Sequence, residues 1–248
     1  IFIAENVKGL VNMGQVKDII QADFSQADGN GYIVLSPQVL HAGNYGVPES
    51  RERVIFIGIR KDALKEEIAQ ILKNDLIPNH LNPYPQPTHN CTLNDETLAT
   101  PVVLCDVLKQ LKEPKESFDP SQRFYSKAKY MGAHCQGQKE ITMNSIGPTI
   151  RSEHHGNIEY RRLSLEHGGT NKNELEKGLA ERRLTPRECA LIQTFPPDFQ
   201  FVIPKDYDWK RFIVSASGAY KVIGNAVPPI LAYHIAMRIQ NLWSTYFK

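Results

Sequence analysis

Cysteine is scarce in this chain, and its few cysteines form no recognisable set. The four lie scattered at Cys91, Cys105, Cys135 and Cys189, with no C-x-x-C pair. A disulfide framework or a structural zinc site needs closer and more regular spacing, so we interpret the thiols as reduced and the protein as cytoplasmic. The neighbours His89 and Cys91, and His134 and Cys135, match no zinc spacing, and we predict no bound metal.

Excess charge and long apolar runs are also lacking. The 29 basic and 27 acidic residues leave a formal net charge of +2, so affinity for a nucleic acid must come from local basic clusters. We find no secretory signal, no membrane-spanning run and no internal repeat. Ile1 lies inside an apolar run, and we therefore expect a longer protein, or one chain of a split one.

The first part of the chain has the pattern of one flank of an α/β sheet. Residues 1–4 predict a buried strand of the kind found in the middle of a parallel sheet. The further predicted elements are a helix at 10–24, strands at 32–41 and 53–60, and a helix at 64–72. Four prolines between residues 78 and 87 then indicate a domain boundary.

The rest of the chain is irregular until close to its end. A short apolar helix is predicted at 102–111. In "LTPRECALIQTF", Thr185 is placed as an N-cap, Pro186 as the first helical residue and Glu188 as the third, which predicts a capping box. A last amphipathic helix begins near Pro229, after the loop "YKVIGNAVPP".

An acid and two arginines stand at the ends of predicted strands. Glu5 lies at the carboxyl end of the first strand, where open α/β sheets place their ligands, although a helix-capping acid is an alternative. Arg51 and Arg53 lie at alternate positions before a buried strand and so point the same way, unless they only solvate its end. Together these residues predict a pocket for a planar, anionic ligand such as a nucleotide.

Four segments, in this order, resemble motifs of one family. "ENVKGL", "NYGVPESRERVIFIGIR", "RRLTPRECALIQTFP" and "YKVIGNAVPP" are similar to the sixth, eighth, ninth and tenth motifs of the DNA cytosine-C5 methyltransferases. The resemblance covers both ends of the chain, whereas residues 83–179 match only in character. It implies an α/β fold, with part of a doubly wound, Rossmann-like methyltransferase sheet and a second, smaller, irregular target-recognition domain.

The resemblance also implies domains. Residues 1–82 would be the C-terminal half of the catalytic domain, 83–205 the target-recognition domain, and 206–248 a return to the catalytic domain. The implied enzyme swings a cytosine out of a specific site in double-stranded DNA, as in restriction–modification systems. A cysteine thiolate attacks C6, C5 takes a methyl group from S-adenosylmethionine, and the C5 proton is then removed.

The resemblance assigns catalytic roles residue by residue. Glu5 matches the acid that hydrogen-bonds or protonates N3 of the cytosine, which makes the ring accept the thiolate. Arg53, and with it Arg51, matches the arginines that hold O2 and the flanking backbone. Glu49 departs from the family, which commonly has glutamine there. Its carboxylate cannot donate a hydrogen bond, and we expect it to pair with Arg51 or Arg53.

The same resemblance places the cofactor and the DNA. Asn225 and Val227 match the wall of the methyl-donor pocket, although "GNAVPP" also fits a plain turn before a Pro-initiated helix. Thr149 and Ile150 resemble the pair beside the flipped base. Arginine and asparagine suit guanine and adenine edges, and the remaining predicted DNA contacts are therefore Arg151, Asn157 and Arg161. The alternative for this cluster is a solvated polar loop.

The family's Pro-Cys nucleophile and glycine-rich cofactor loop are not found in the sequence. No cysteine follows a proline, and Cys189 falls inside the predicted capping-box helix. We therefore expect the nucleophile upstream of Ile1, in an N-terminal catalytic half on the same polypeptide or on a separate subunit. The alternatives are a DNA-binding specificity subunit that is not catalytic alone, and an RNA-acting relative. A tRNA-acting relative would be expected to carry a different insert.

Overall fold

The computed structural model describes residues 1–12, 15–27, 29–74, 76–152 and 158–248, and every structural statement below concerns these. They form two compact units. The first unit comprises Ile1–Tyr45, Glu52–Ala99 and Ile230–Lys248, and the second comprises Gly46–Arg51 and Thr100–Pro229. These units do not follow the functional boundaries expected at 83 and 206, which stay a prediction. Within the described residues, no helix combines the length and apolar character needed to cross a membrane.

The chain is mixed α/β, as predicted. Its strands are β1 (Phe2–Val7), β2 (Tyr32–Val34), β3 (Gln38–His41), β4 (Glu52–Arg60), β5 (Tyr160–Arg162), β6 (Arg182–Arg183), β7 (Ile203–Pro204) and β8 (Phe212–Val214). Its α-helices are α1 (Val16–Gln26), α2 (Glu66–Leu72), α3 (Leu104–Leu108), α4 (Pro120–Arg123), α5 (Lys172–Glu176), α6 (Pro186–Ile192), α7 (Ala216–Asn225) and α8 (Pro229–Tyr246). Single 3-10 turns lie at Lys8–Asn12, Ala42–Tyr45 and Pro114–Glu116.

Strand β4 is the centre of the sheet in the first unit. β1 pairs with it antiparallel along one edge, while β2 and β3 share the other edge, also antiparallel. Both edges of β4 are paired, and its residues from Val54 to Ile57, and Ile59, are at most 1% exposed, so the strand is buried on both faces as well. Gly58 is required where it stands, since a Cβ there would meet the ring of Phe2 on β1.

The prediction that residues 1–4 form a buried strand in the middle of a parallel sheet is wrong. β1 is antiparallel to β4, and Ile1 and Ile3 are 39% and 47% exposed. An antiparallel strand can leave apolar side chains exposed on one face, whereas a central parallel strand is covered on both. The predicted strand 32–41 is also interrupted, between β2 and β3, where Pro37 offers no N–H to the sheet.

The second unit is built around an apolar core rather than a large sheet. The core residues come from α3, α6, α7 and the segments between them: Leu104, Leu108, Ile141, Ile150, Ile158, Leu184, Cys189, Ala190, Ile192, Phe201, Val202, Ala219, Tyr220 and Ile223. The capping box of α6 is confirmed. Thr185 Oγ1 accepts from the Glu188 N–H at 3.0 Å, and a Glu188 carboxylate oxygen accepts from the Thr185 N–H at 2.9 Å.

Candidate functional site

Glu5 and Arg53, two of the predicted catalytic residues, are in contact within the first unit. Glu5 lies opposite Ile55 in the β1–β4 register, so Arg53 is its diagonal neighbour on the same face. Arg53 Nε lies 2.7 Å from Glu5 Oε1, and the side chains are 13% and 23% exposed, respectively. Arg53 Nη1 also donates to the carbonyl of Glu52 at 2.8 Å. A carboxyl group and a fixed guanidinium are thus held side by side at the end of two strands.

Two segments that sequence analysis singled out run alongside each other in the second unit. The Ser50 N–H donates to the carbonyl of Gly147 at 2.8 Å, and the Gly147 N–H donates to the carbonyl of Pro48 at 2.9 Å. The Thr149 hydroxyl donates to the carbonyl of Ser50. The predicted recognition residue Thr149 is therefore fixed to the segment that carries the first arginine.

Arg51 has a different environment from Arg53. It is 1% exposed, and its guanidinium donates to the carbonyls of Ile150 (3.1 Å), Gly224 (2.9 Å) and Ala226 (2.8 Å). Glu49, one of whose two expected partners was Arg51, lies 3.6 Å from Arg51 Nη1. These contacts engage the guanidinium with backbone carbonyls, and the expected contact of Arg51 with a cytosine stays a prediction.

The two predicted cofactor residues lie at the end of helix α7. Asn225 is its last residue and is exposed, and Val227 follows, half-buried. Gly224 packs so closely on the backbone of Arg151 and Ser152 that a Cβ would collide with it. The second unit thus brings the predicted cofactor segment and the predicted recognition segment into contact.

Arg151, another predicted DNA contact, is partly exposed beside an acid. Its side chain is 34% exposed, and Nη1 lies 3.5 Å from a carboxylate oxygen of Glu159. Arg151 and Glu159 line a cavity of about 270 Å³, together with Lys139 and residues 133–137. Donors and acceptors therefore face an open depression, which suits a base edge or a phosphate. Asn157, with the neighbouring histidines, lies outside the described residues.

Two other predicted DNA contacts are not presented at the surface. Ile150 is 2% exposed and belongs to the core of the second unit. Arg161 is 8% exposed, and its Nη2 lies 2.6 Å from a carboxylate oxygen of Glu174. Strand β5 is buried along its whole length, which turns Arg161 inward. The placement of both residues argues against a direct contact with a base.

Arg161 is part of a buried ionic network that sequence reasoning missed. Arg162 and Arg182 both bind Glu113, at distances between 2.5 and 3.1 Å, and Arg182 also binds Glu188 at 2.8 Å. Burial by itself would raise the pKa of Glu113, but hydrogen bonds from the two arginines and their charges outweigh it and lower the pKa to about 2. These acids lie far from Arg161 in sequence, so no local pattern could have revealed them.

The thiol of Cys189 lies in an environment that disfavours its reactive form. Cys189 is fully buried in the core, and burial raises the pKa of its thiol well above the ordinary value. The pKa of Cys91 is raised by burial too. Because a thiolate is the reactive form, neither residue has the environment of a nucleophile.

Comparison with known proteins decides the family. The profile described as C-5 cytosine-specific DNA methylase matches residues 1–241. The chain belongs to this methylase family. Among its curated relatives, Type II methyltransferase M.BspRI of Lysinibacillus sphaericus is 34% identical over 100% of the chain, and M.BsuRI of Bacillus subtilis is 32% identical over 100%.

This methylase-family chain spans only part of its relatives. It covers 52% of M.BspRI, 51% of M.BsuRI and 64% of the Fusobacterium nucleatum enzyme M.FnuDI. Among solved structures, S. pombe Dnmt2 methyltransferase matches 97% of the chain, which covers 66% of that protein, with a TM-score of 0.51 and 15% identity. At that identity the likeness establishes the fold alone, and it is the fold of a methyltransferase.

Proposed function

We propose that this chain works within a DNA cytosine-C5 methyltransferase that methylates C5 of a flipped-out cytosine in a specific duplex sequence. The family match and the names of its curated relatives, which are type II methyltransferases, support this reading. The methyl donor is S-adenosylmethionine, the donor that the family resemblance implies. The DNA partner is double-stranded, and the target base leaves the helix because its C5 and C6 cannot be reached inside the stack.

The observation that carries the proposal is the Glu5–Arg53 pair. A cytosine presents N3 and O2 as adjacent acceptors on one edge, and the structure holds a carboxyl and a guanidinium 2.7 Å apart at their closest atoms. Arg53 donates to O2, and Glu5 in its protonated form donates to N3. Both contacts draw electrons from the ring and make C6 a better acceptor for a thiolate. The ion pair keeps both side chains ordered before the base arrives.

The residues at the C-terminal end of helix α7 fit the proposed cofactor. Asn225 is exposed at the end of the helix and offers an amide, while Val227 offers a half-buried apolar surface. This combination suits a ligand that has both polar groups and a flat apolar ring. S-adenosylmethionine supplies an activated methyl group on a sulfonium, and these residues would hold and orient it.

Sequence specificity is proposed to lie around Arg151. Thr149 and Arg151 are partly exposed in the second unit, and Asn157 is kept as a candidate from its residue type. Ile150 anchors this segment in the apolar core, and Arg161 is engaged by Glu174 instead of DNA. Arg151 then reads a base edge or holds a phosphate.

Catalysis by these 248 residues alone is not part of the proposal. None of the four cysteines follows a proline, and the thiols of Cys91 and Cys189 are suppressed by burial. The nucleophile is therefore proposed to come from a segment that this sequence does not contain. A specificity subunit that lends recognition to a separate catalytic chain is the alternative consistent with this observation.

The test is methylation mapping with a matched pair of variants. The complete coding sequence is expressed in a host that lacks cytosine methylation, and 5-methylcytosine in its DNA is mapped by bisulfite sequencing. We expect methylation at one short sequence, and Arg53→Lys should reduce the rate by about 10²-fold or more, because lysine lacks the planar fork. Arg60→Lys, on the same strand but paired with Asp62 at the surface, is the control. A host genome without 5-methylcytosine would reject the proposal.

A further inference from the structure

Arg51 connects two segments of the second unit that lie far apart in sequence. Its Nη1 donates to the carbonyl of Ile150, and its Nη2 donates to the carbonyls of Gly224 and Ala226. The last two carbonyls belong to the C-terminal end of α7, where carbonyl groups have no partner within the helix and the helix dipole favours a cation. The guanidinium thus satisfies one end of the helix and the recognition segment at the same time.

Glu49 completes the arrangement. Its Oε1 accepts a hydrogen bond from the Ile150 N–H at 2.7 Å, while Arg51 binds the carbonyl of the same residue. Both backbone groups of Ile150 are therefore held by one acid–arginine pair, whose side chains are fully buried. The close approach of Gly224 to the backbone of Arg151 brings the two held segments into direct contact.

We propose that Glu49 and Arg51 form a clamp that fixes residues 147–151 to the C-terminal end of α7, and that Arg51 is a positioning residue rather than a contact of the base. The functional meaning rests on the proposed function, in which Thr149 and Arg151 face DNA and Asn225 and Val227 face the methyl donor. Through the clamp, a shift of either segment displaces the other. DNA affinity and cofactor affinity therefore weaken together when the clamp is removed.

The geometry explains why the clamp needs these residue types. A planar guanidinium offers several N–H groups in fixed directions and can reach three carbonyls, whereas a lysine ammonium is a point donor on a flexible stem. A carboxylate at position 49 can accept the Ile150 N–H and also neutralise the charge of the arginine. A glutamine could accept the same N–H but could not neutralise the charge. Glu49, the departure from the family's commoner residue, is thus accounted for by its own contacts.

Hydrogen exchange of the 248-residue chain tests the clamp directly. In Arg51→Lys, we expect faster amide exchange in two peptides together, one covering 147–151 and one covering 222–227. Arg187→Lys is the matched control, because Arg187 is also buried in the second unit but bonds Asp119 at 2.5 Å. It should leave the exchange of both peptides at the wild-type level. Unchanged exchange in Arg51→Lys, or a change in only one peptide, would overturn the proposal.

Gly224→Ala provides a second variant that leaves the charges in place. The added methyl group pushes against the Arg151 backbone, so the same two peptides should exchange faster even if Arg51→Lys does not fold. Wild-type exchange in Gly224→Ala would count against the clamp.

Kinetics of the complete enzyme separate positioning from contact with the base. In Arg51→Lys, the KM values for DNA and for S-adenosylmethionine should rise together, each within the ~5- to 150-fold range of typical coupling. A fall in kcat with both KM values unchanged would instead make Arg51 a contact of the reacting base and reject the clamp. If the wild-type enzyme transfers no methyl group, the proposed function fails, and the exchange result alone decides on the clamp.

Discussion

At the residue scale, Glu5 and Arg53 differ in what they give a bound pyrimidine. Arg53 carries a permanent charge and hydrogen-bond donors, whereas Glu5 donates only when it is protonated. Replacing Glu5 by glutamine keeps a hydrogen-bond donor at the same place, and the ion pair of 2.7 Å becomes a contact between charged Arg53 and a neutral amide. The proton that Glu5 would deliver to N3 is then lost, while the shape of the site is retained.

We therefore expect Glu5→Gln in the complete enzyme to bind duplex DNA normally and to transfer methyl groups ~10²–10⁴ more slowly, the usual value of general acid catalysis. Single-turnover methyl transfer and fluorescence anisotropy of labelled DNA measure the two properties. Glu52→Gln is the control, because Glu52 lies on the paired strand β4 but forms a surface ion pair with Lys8. Unchanged turnover in Glu5→Gln would leave Glu5 a structural residue.

Arg151 is the second residue whose role can be tested on its own. If it binds a guanine edge, Arg151→Ala should cost ~1–3 kcal/mol and relax the preference at one base pair. If it binds only a phosphate, affinity should fall evenly across sequences and its salt dependence should flatten. Selection from a randomised duplex library measures the profile. Arg211→Ala, which removes an exposed arginine paired with Asp206, is the control. An unchanged profile together with unchanged affinity contradicts a DNA contact.

At the element scale, helix α6 depends on a buried cap. Thr185 is fully buried, accepts from the Glu188 N–H, and donates its hydroxyl hydrogen to Gln122 at 2.6 Å. Thr185→Ala should lower the free energy of unfolding by about 0.5–2 kcal/mol for the lost cap, with a further loss from the unpaired Gln122. Urea denaturation measures it. Ser215→Ala, at the more exposed cap of α7, should cost less, and equal costs would contradict this account.

Some helices and strands could be predicted from the sequence, and others could not. The start of α6 could be predicted because the residues of a capping box lie within four consecutive positions of the sequence. The direction of β1 was not, since it depends on pairing with β4, about fifty residues away. Helix α7 was missed because two glycines, Gly218 and Gly224, weaken its local propensity. The packing of Tyr220 and Ile223 in the core overrides that propensity.

The candidate site shows the same division. The Glu5–Arg53 contact follows from motifs that could be read in the sequence, although the distance between them could not. Arg161 was predicted to contact DNA because an arginine-rich sequence is the same whether its side chains face DNA or buried carboxylates. The acid that decides its orientation, Glu174, belongs to a separate short helix. Charge complementarity between distant segments is not visible in one segment.

At the scale of the whole molecule, the ionic network makes stability depend on pH. The pKa of Glu113 is about 2 in the fold and that of Glu188 is also lowered, because the arginine partners outweigh burial. An unfolded glutamate titrates near about 4.3. Acids with a depressed pKa stabilise the fold above that value, and this contribution is lost as the pH falls towards about 2.

We therefore expect the urea midpoint to fall as the pH is lowered from about 6 to about 2.5, and Glu113→Gln to flatten this dependence. Glutamine cannot take up a proton, so the difference in proton binding between folded and unfolded chains disappears at this position. Glu116→Gln, an exposed neighbour in sequence, is the control and should keep the wild-type slope. A slope in Glu113→Gln equal to that of the wild type would show that other groups control acid unfolding.

The chain as a whole is expected to bind DNA without methylating it. Methyl transfer needs an accessible thiolate beside the held cytosine, and burial suppresses the thiols of Cys91 and Cys189. The purified 248-residue chain, incubated with duplex DNA and tritiated S-adenosylmethionine, should incorporate no label above background, while a shift of labelled DNA shows that it is folded and binds. Incorporation by this chain alone would mean that one of its own four cysteines acts as the nucleophile, and single Cys→Ala variants would then identify it. A Cys→Ala variant that loses incorporation would identify the thiol within this chain, whereas a background signal from the wild-type chain supports a nucleophile supplied by another segment.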